Sequence, residues 1–334
     1  MRRTLALVLL LVASTRGQES LEIEPVTGFQ AEGCLDDLCG NVPVPFGNAM
    51  LMAPKEWMVT VRVERSRFIG TLDGHKELGV AEVLGQGYTM APRDMTMDMT
   101  MVEAMVGLDE DTTFMAMLPW MDSRMEMVMD DGTDFDMDSS GMGDLALGLT
   151  TRAWEGAGER LVFHGGVSLP TGSVNEKDDM PGFPNSTVDY VMQPGSGTFD
   201  LRPALTWLAA RGDWRLGAQF GLVQRLGQNS QDWQAPNHQD LSLWAARLLA
   251  DGSSWSGRLT ARRWGRVHGA DDNLDPAMSP TQDPDLQAGR RIEAALGWRR
   301  GSFVTEVGAP LSEKLDGPQL SLDWFATVGW QFAF

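Results

Sequence analysis

The chain has 334 residues, 43% of them hydrophobic, and a formal charge of −19. So acidic a protein is a poor partner for nucleic acid, whose phosphates call for a positive surface. Beyond the N-terminus no apolar run approaches the about 20 residues that a transmembrane helix requires. The length suits either two average soluble domains or one membrane barrel.

Taken in chain order, Arg2 and Arg3 precede the apolar run Leu5–Ala13. A basic start and a run too short to span a bilayer predict a secretory signal peptide over residues 1–17, cut between Ala13 and Gln18. Export places Cys34 and Cys39 in an oxidising compartment, where a close pair reads as a small disulfide loop before it reads as a thiolate metal site. These cysteines fall in a predicted periplasmic segment, residues 18–54.

From residue 55 to 334 the period is two, the mark of strands. Trp57, Val59, Val61 and Val63 alternate with Thr60, Arg62 and Glu64, and comparable segments recur around residues 145, 161, 199, 214, 255 and 292. The clearest is the last, where Leu320, Leu322, Trp324, Ala326, Val328, Trp330, Phe332 and Phe334 share one expected face. That is longer than the about 5–6 residues of a soluble strand and suits a tilted membrane strand. Short polar turns near 109–113, 156–159, 211–213, 251–254 and 299–301 alternate with longer loops near 71–94, 130–142, 172–197, 228–238, 268–284 and 313–318. Five turns and six loops predict twelve strands in an antiparallel up-and-down transmembrane β-barrel, with both termini on the periplasmic side. Trp57, Trp154, Trp207, Trp214, Trp255 and Trp298 stand where strands meet turns, as an interfacial girdle would. A secreted sandwich or propeller is the competing all-β reading, and it leaves the strand lengths and the terminal Phe334 unexplained.

If the apolar face meets lipid, the polar face lines the lumen, because charge against hydrocarbon is costly. The candidate lining residues are Arg62, Glu64, Asp98, Arg124, Glu126, Asp144, Arg202, Arg215, Arg258, Arg262, Arg291, Glu293 and Asp323. Such a lumen is either a polar conduit or a barrel filled by its own ion pairs. Fourteen of the 21 methionines lie between Met90 and Met142. Thioethers are soft ligands suited to Cu(I). Alternation argues the other way, since turning Met95–Met101 and Met121–Met129 inward would turn Asp98, Arg124 and Glu126 outward. The belt is therefore expected to face hydrocarbon, with Met90, Met137, Met142 and Met180 left as candidate soft-metal ligands. The acidic loops, with Asp130, Asp131, Asp134, Asp136 and Asp138 in one, offer hard oxygens to Ca²⁺. No resident cofactor is expected beyond such a Ca or Cu ion. None of the four histidines sits in a catalytic motif, and no enzyme activity is expected.

Several stretches carry a family resemblance: Ser140-Gly-Met-Gly-Asp144, Gly166-Val-Ser-Leu-Pro-Thr-Gly172 with Glu176-Lys-Asp-Asp179, Gln193-Pro-Gly-Ser-Gly-Thr-Phe-Asp200, and the end Gly329-Trp-Gln-Phe-Ala-Phe334. From about residue 50 the chain resembles the outer-membrane barrels grouped as the MetA-pathway phenol-degradation family. The resemblance implies a channel or transporter for small, often aromatic molecules in a Gram-negative outer membrane, and supplies no catalytic residues. The expected function is passage of small solutes through a charged lumen. The alternatives are a copper-handling envelope barrel that uses the methionines, and a structural barrel without an open pore. Expected partners are outer-membrane lipids and lipopolysaccharide, the solute, and the barrel-assembly machinery through the C-terminal strand.

Overall fold

In hydrocarbon a backbone N–H or C=O has no water to bond, so a sheet that crosses a membrane must close on itself. The computed structural model describes Leu38 and residues 42–334 and shows such a closure. The expected signal peptide and the Cys34–Cys39 pair lie outside the described residues. Ten strands run antiparallel around the wall: β1 (Trp57–Gly74), β2 (Met90–Gly107), β3 (Thr112–Met129), β4 (Leu145–Gly156), β5 (Glu159–Leu169), β6 (Ala204–Arg211), β7 (Trp214–Leu226), β8 (His238–Leu248), β9 (Ser253–Trp264) and β10 (Gly289–Arg300).

The eleventh element, Phe303–Ala333, has 31 residues. It pairs with β10 through residues 303–315 and with β1 through residues 315–333. Its halves also face each other: Gln331 N–H donates to the Ser302 carbonyl at 2.9 Å, the Thr305 hydroxyl donates to the Thr327 carbonyl at 2.9 Å, and the Phe303 and Trp330 rings meet at 5.3 Å. The element therefore reverses at Asp316–Gly317 and supplies two staves, β11 (303–315) and β12 (318–333). Among the described residues the wall has twelve staves. It closes where Trp57 and Phe334 exchange N–H···O bonds of 3.1 and 2.8 Å.

Inside and outside are fixed by residues 42–54, which run within the ring. Val44 O accepts from Arg62 of β1 and Val42 O from Arg299 of β10. Asn48 O accepts from Thr150 of β4, Asn48 Oδ1 accepts from Gln219 of β7, and Met52 N–H donates to Thr113 of β3. The Phe46 ring stacks on Trp244 of β8 at 4.8 Å. A segment that touches staves all around the circumference can only be in the bore.

The opposite face carries the lipid belt. Trp57, Trp154, Trp214 and Trp255 are exposed at the short-turn end, with Leu205, Phe220, Leu243, Leu259, Leu296 and Val307 above them. This is the apolar band and aromatic girdle of an outer-membrane barrel.

Three expectations change. The loop predicted at 130–142 is a tight turn followed by a strand, Asp134–Met142, paired to the upper half of β3. The loop predicted at 313–318 is only the two-residue turn. The single face predicted for residues 320–334 is broken at Asp323. Arg67 pairs with Trp324 and Phe68 with Leu322, so Asp323 is the extra residue of a β-bulge. Below it Trp324, Trp330 and Phe332 look outward, while above it Leu322 is buried with Phe325 and Ala295. Asp323 is accordingly exposed and lines no lumen.

Because the ring closes at Trp57 and Phe334, deleting Phe334 removes both bonds at the end of the seam. The amount of heat-modifiable barrel in outer membranes should fall severalfold, as read by gel mobility with and without boiling. Wild-type levels would show that the seam does not depend on its last residue.

Candidate functional site, a methionine-walled lumen

β2 and β3 each have 18 residues, about 60 Å at the strand rise. That is more than twice the roughly 25 Å apolar band of such barrels. Their lower halves turn Val102, Ala104, Phe114, Ala116, Leu118 and Trp120 to lipid. Their upper halves turn Asp98, Asp122, Arg124 and Glu126 outward, above the band. There Arg65 holds Asp98 at 2.6 Å, and Arg124 pairs with Asp136 and, at 3.8 Å, Asp138. Asp98, Arg124 and Glu126 are thus not lumenal, and the methionines that alternate with them are. The belt expected to face hydrocarbon lines the bore.

The bore has two parts. The half near the short turns is filled by residues 42–54, whose Val42, Phe46, Ala49, Met50, Leu51 and Met52 are buried against Met58, Met105, Met115, Val162, Leu208 and Trp244. The Phe46–Trp244 stack is worth about 0.5–1.5 kcal/mol beyond its buried area. Arg258, buried beside Phe46 of this plug, donates to Glu306 at 3.2 Å and Glu293 at 3.3 Å and lies over the Phe46 and Phe325 rings. Gly47 lies so close to the wall that an added Cβ would sit 2.1 Å from Glu103 Oε1.

Above the plug is a cavity of about 580 Å³. One wall is Met95, Met97, Met99 and Met101 of β2 with Met117 of β3, and the facing wall includes Arg202, Arg225, His238, Trp264 and Arg291. Its roof is the loop Tyr190–Ser196. A smaller chamber of about 110 Å³ continues beside the plug, lined by Pro45, Asn48, Glu103 and His164, and it shares Arg62, Met117 and Arg202 with the upper cavity. Arg62 and Arg202 therefore stand at the junction. Arg62 donates to Met101 Sδ through Nε at 3.1 Å and Nη2 at 3.0 Å, with Met117 Sδ at 3.9 Å, and clamps the plug through Val44 O at 2.9 Å. The Arg202 side chain makes no hydrogen bond or ion pair among the described residues, its backbone N–H donating to Gly166 O at 2.8 Å. Gly148 and Gly166 leave room for the His164 ring, which a Cβ at either would strike at 2.3 or 2.8 Å.

The other predicted lining residues divide by role. Glu64 faces inward and accepts from Thr327 at 3.1 Å. Arg262 is paired with Asp240 at 2.6 Å, and Arg291 with Glu313 at 2.6 Å. Glu293 is held by Arg258. Arg215 sits at the rim, donating to Gly212 O at 2.7 Å. Asp144 fastens the roof, accepting from Gly172 N–H at 2.9 Å and from Ser196 N–H and hydroxyl at 2.8 and 2.6 Å.

Of the four methionines proposed for metal, Met90, Met137 and Met180 are buried together, and Met142 is 52% exposed on the outside. The loop acids act largely in turns and ion pairs: Asp131 accepts from Thr133 N–H, Asp134 holds Arg93, and Asp283 accepts from Asp285 N–H. Among the described residues no three of His, Cys, Asp and Glu are grouped to hold a metal ion. Neither the plug nor the orientation of the methionine wall has a simple sequence signal, although Arg62 and Arg202 stand in visibly alternating stretches of sequence.

Two outcomes follow. Gly47→Val drives a side chain into Glu103 and should displace the plug, raising single-channel conductance severalfold in planar bilayers; unchanged conductance would mean that the plug is not the lower barrier. Asp189, buried in the roof, accepts from Gln282 Nε2 at 2.9 Å, and burial pushes its carboxyl above the ordinary range. A raised folded-state pKa means stability present at low pH and lost as pH rises through it. Proteolysis of the 172–197 loop should speed up as pH rises through the folded-state pKa of Asp189 in the wild type and not in Asp189→Asn. Equal pH dependence in both would remove Asp189 as its source.

Comparison with known proteins agrees with this architecture. The structure is similar to the COG4313 outer membrane channel from Pseudomonas putida F1, at 12% identity over 86% of this chain and 98% of that one, with a TM-score of 0.60. The NanC porin (9% identity, 82% of this chain and 98% of that one, TM-score 0.39) and the translocator domain of autotransporter NalP from Neisseria meningitidis (11%, 84% and 89%, 0.39) are more distant. No curated protein matches the sequence. Residues 94–301 match the model of the family described as the MetA-pathway of phenol degradation. The protein is a closed β-barrel of the outer-membrane type, and with well over half of its sequence matched it belongs to that family.

Proposed function

We propose that the channel passes small amphipathic solutes, aromatic anions foremost, along the cavity and past the Arg62–Arg202 junction. The observation that carries this is the two-sided lining: thioethers of Met95, Met97, Met99, Met101 and Met117 face Arg202, Arg225 and Arg291 across about 580 Å³. That volume lies in the ordinary range of small-molecule pockets. A methionine wall is apolar, flexible and polarisable, and sulfur contacts to an aromatic ring add about 0.3–1.5 kcal/mol. The cationic wall supplies the complement for a carboxylate or phenolate. Arg225 and Arg291 are already neutralised by Asp200 and Glu313, so Arg202 and the sulfur-bound Arg62 are the charges a passing anion meets. The junction, not the acidic rim, then sets selectivity, because most rim acids occupy turns and ion pairs on the outside.

The test is reversal potential and permeability with benzoate in planar bilayers. The wild type should prefer anions and pass benzoate. Arg202→Gln should lower the anion preference at least twofold and Arg62→Gln should do the same, while changing Asp130, Asp131, Asp134, Asp136 and Asp138 to Asn should leave it nearly unchanged. Cation preference in the wild type that vanishes with the aspartates would overturn this reading and return control to the rim.

A further inference from the structure

The methionines above the cavity form a buried cluster, of which Met95 alone also lines the cavity. Seven of its eight buried members are methionine: Met90, Met95, Met125, Met127, Met137, Met180 and Met192, the eighth being Val188. A neighbouring buried cluster in the same roof, Val174, Tyr190, Trp233, Val267 and Leu274, contains none. Space-filling at this level of the barrel is thus done without methionine elsewhere.

The sheet register gives the cluster an internal order. Met95 of β2 is directly opposite Met125 of β3, and Met125 is directly opposite Met137 on the strand Asp134–Met142. Residues directly opposite on one face have Cβ atoms about 5 Å apart. Three thioethers therefore form one rung across three adjacent strands, and all three are buried, at 3%, 0% and 0% exposure. Methionine has three rotatable side-chain bonds, so three sulfurs on such a rung can converge on one atom. The next rung is Met97, Ser123 and Ser139. Ser139 donates to Met192 O at 2.6 Å, but the Ser123 hydroxyl is buried with no hydrogen-bond partner among the described residues. A buried polar atom left alone beside a thioether rung marks a place for a polar or charged guest.

Thioethers can also face a cation in this lumen, as Met101 and Met117 do at Arg62. They are neutral and soft, they bind Cu(I) in preference to hard ions, and they need no deprotonation. We propose that the Met95–Met125–Met137 rung is a binding site for a soft monovalent cation of the Cu⁺ type. Met97, on the adjacent rung, lines the cavity below and supplies the way in. The site shares Met95 with the cavity wall, but it lies above the Arg62–Arg202 junction and uses none of its charges.

The test uses the full-length barrel folded in detergent micelles and titrated with Ag⁺, a redox-stable probe for this ligand chemistry, in chloride-free buffer. The wild type should bind Ag⁺ stoichiometrically by calorimetry. Changing Met95, Met125 and Met137 together to Leu, a volume-conserving exchange, should weaken binding at least tenfold. Met142→Leu, on the outer surface, should bind as the wild type does, and excess Ca²⁺ should not displace the ion. Should the triple variant not fold, Met125→Leu alone removes the centre of the rung and should also weaken binding severalfold. X-ray absorption of the Cu⁺-loaded protein should show sulfur neighbours. The proposal is overturned if the wild type does not bind Ag⁺, if the Leu variants bind as the wild type does, or if Cu⁺ is held by nitrogen or oxygen alone. Benzoate permeation is measured separately, so failure of either reading leaves the other standing.

Discussion

Everything in this protein depends on the closure of a hydrogen-bonded ring in a medium that offers the backbone no alternative partner. Once β12 pairs with β1, each side chain on the wall belongs either to lipid or to lumen. That division, repeated at every second residue, converts a sequence into two surfaces. It also explains the severity of the charge distribution. An arginine or lysine facing mid-membrane lipid costs about 2–4 kcal/mol, so Arg65, Arg124 and their acidic partners occupy the outward face only where the staves have risen clear of the apolar band.

The interior is governed by a second constraint, that buried charge must be matched. Arg258 with Glu293 and Glu306, Arg262 with Asp240, and Arg291 with Glu313 satisfy it by pairing. Arg62 satisfies it differently, with a carbonyl of the plug and two thioether sulfurs. The same residue joins the wall, the N-terminal segment and the methionine face, so plug position and lumen chemistry are coupled through one guanidinium.

Much of the wall was legible in the sequence, and the reasons for the misses are physical. Period-two alternation, the short turns and the terminal aromatic strand identify a barrel because each follows from strand geometry alone. The inward face of β2 and β3 was not legible. Methionine is as acceptable to lipid as to a packed lumen, so the only asymmetric signal came from Asp98, Arg124 and Glu126, and that signal assumed strands no longer than the membrane is thick. Asp323 was misplaced for a different reason: a bulge shifts the parity without changing composition. The plug was invisible because residues 42–54 have no periodicity, and only contacts from distant staves define their place. At the junction, Arg62 and Arg202 could be picked out as lumenal from alternation. That neither forms an ion pair with a carboxylate among the described residues emerges only when the whole ring is assembled.

The bulge at Asp323 works like a frameshift in the in–out code of the last stave. Below it the terminal residues keep one phase, aromatic side chains to lipid and Thr327, Gly329 and Gln331 to the bore. Above it the opposite phase delivers Leu320 and Leu322 to the interior. One stave thus carries two independent messages. The upper message can drift with the cargo while the lower one stays bound to the lipid boundary, and the cost of separating them is a single unpaired residue.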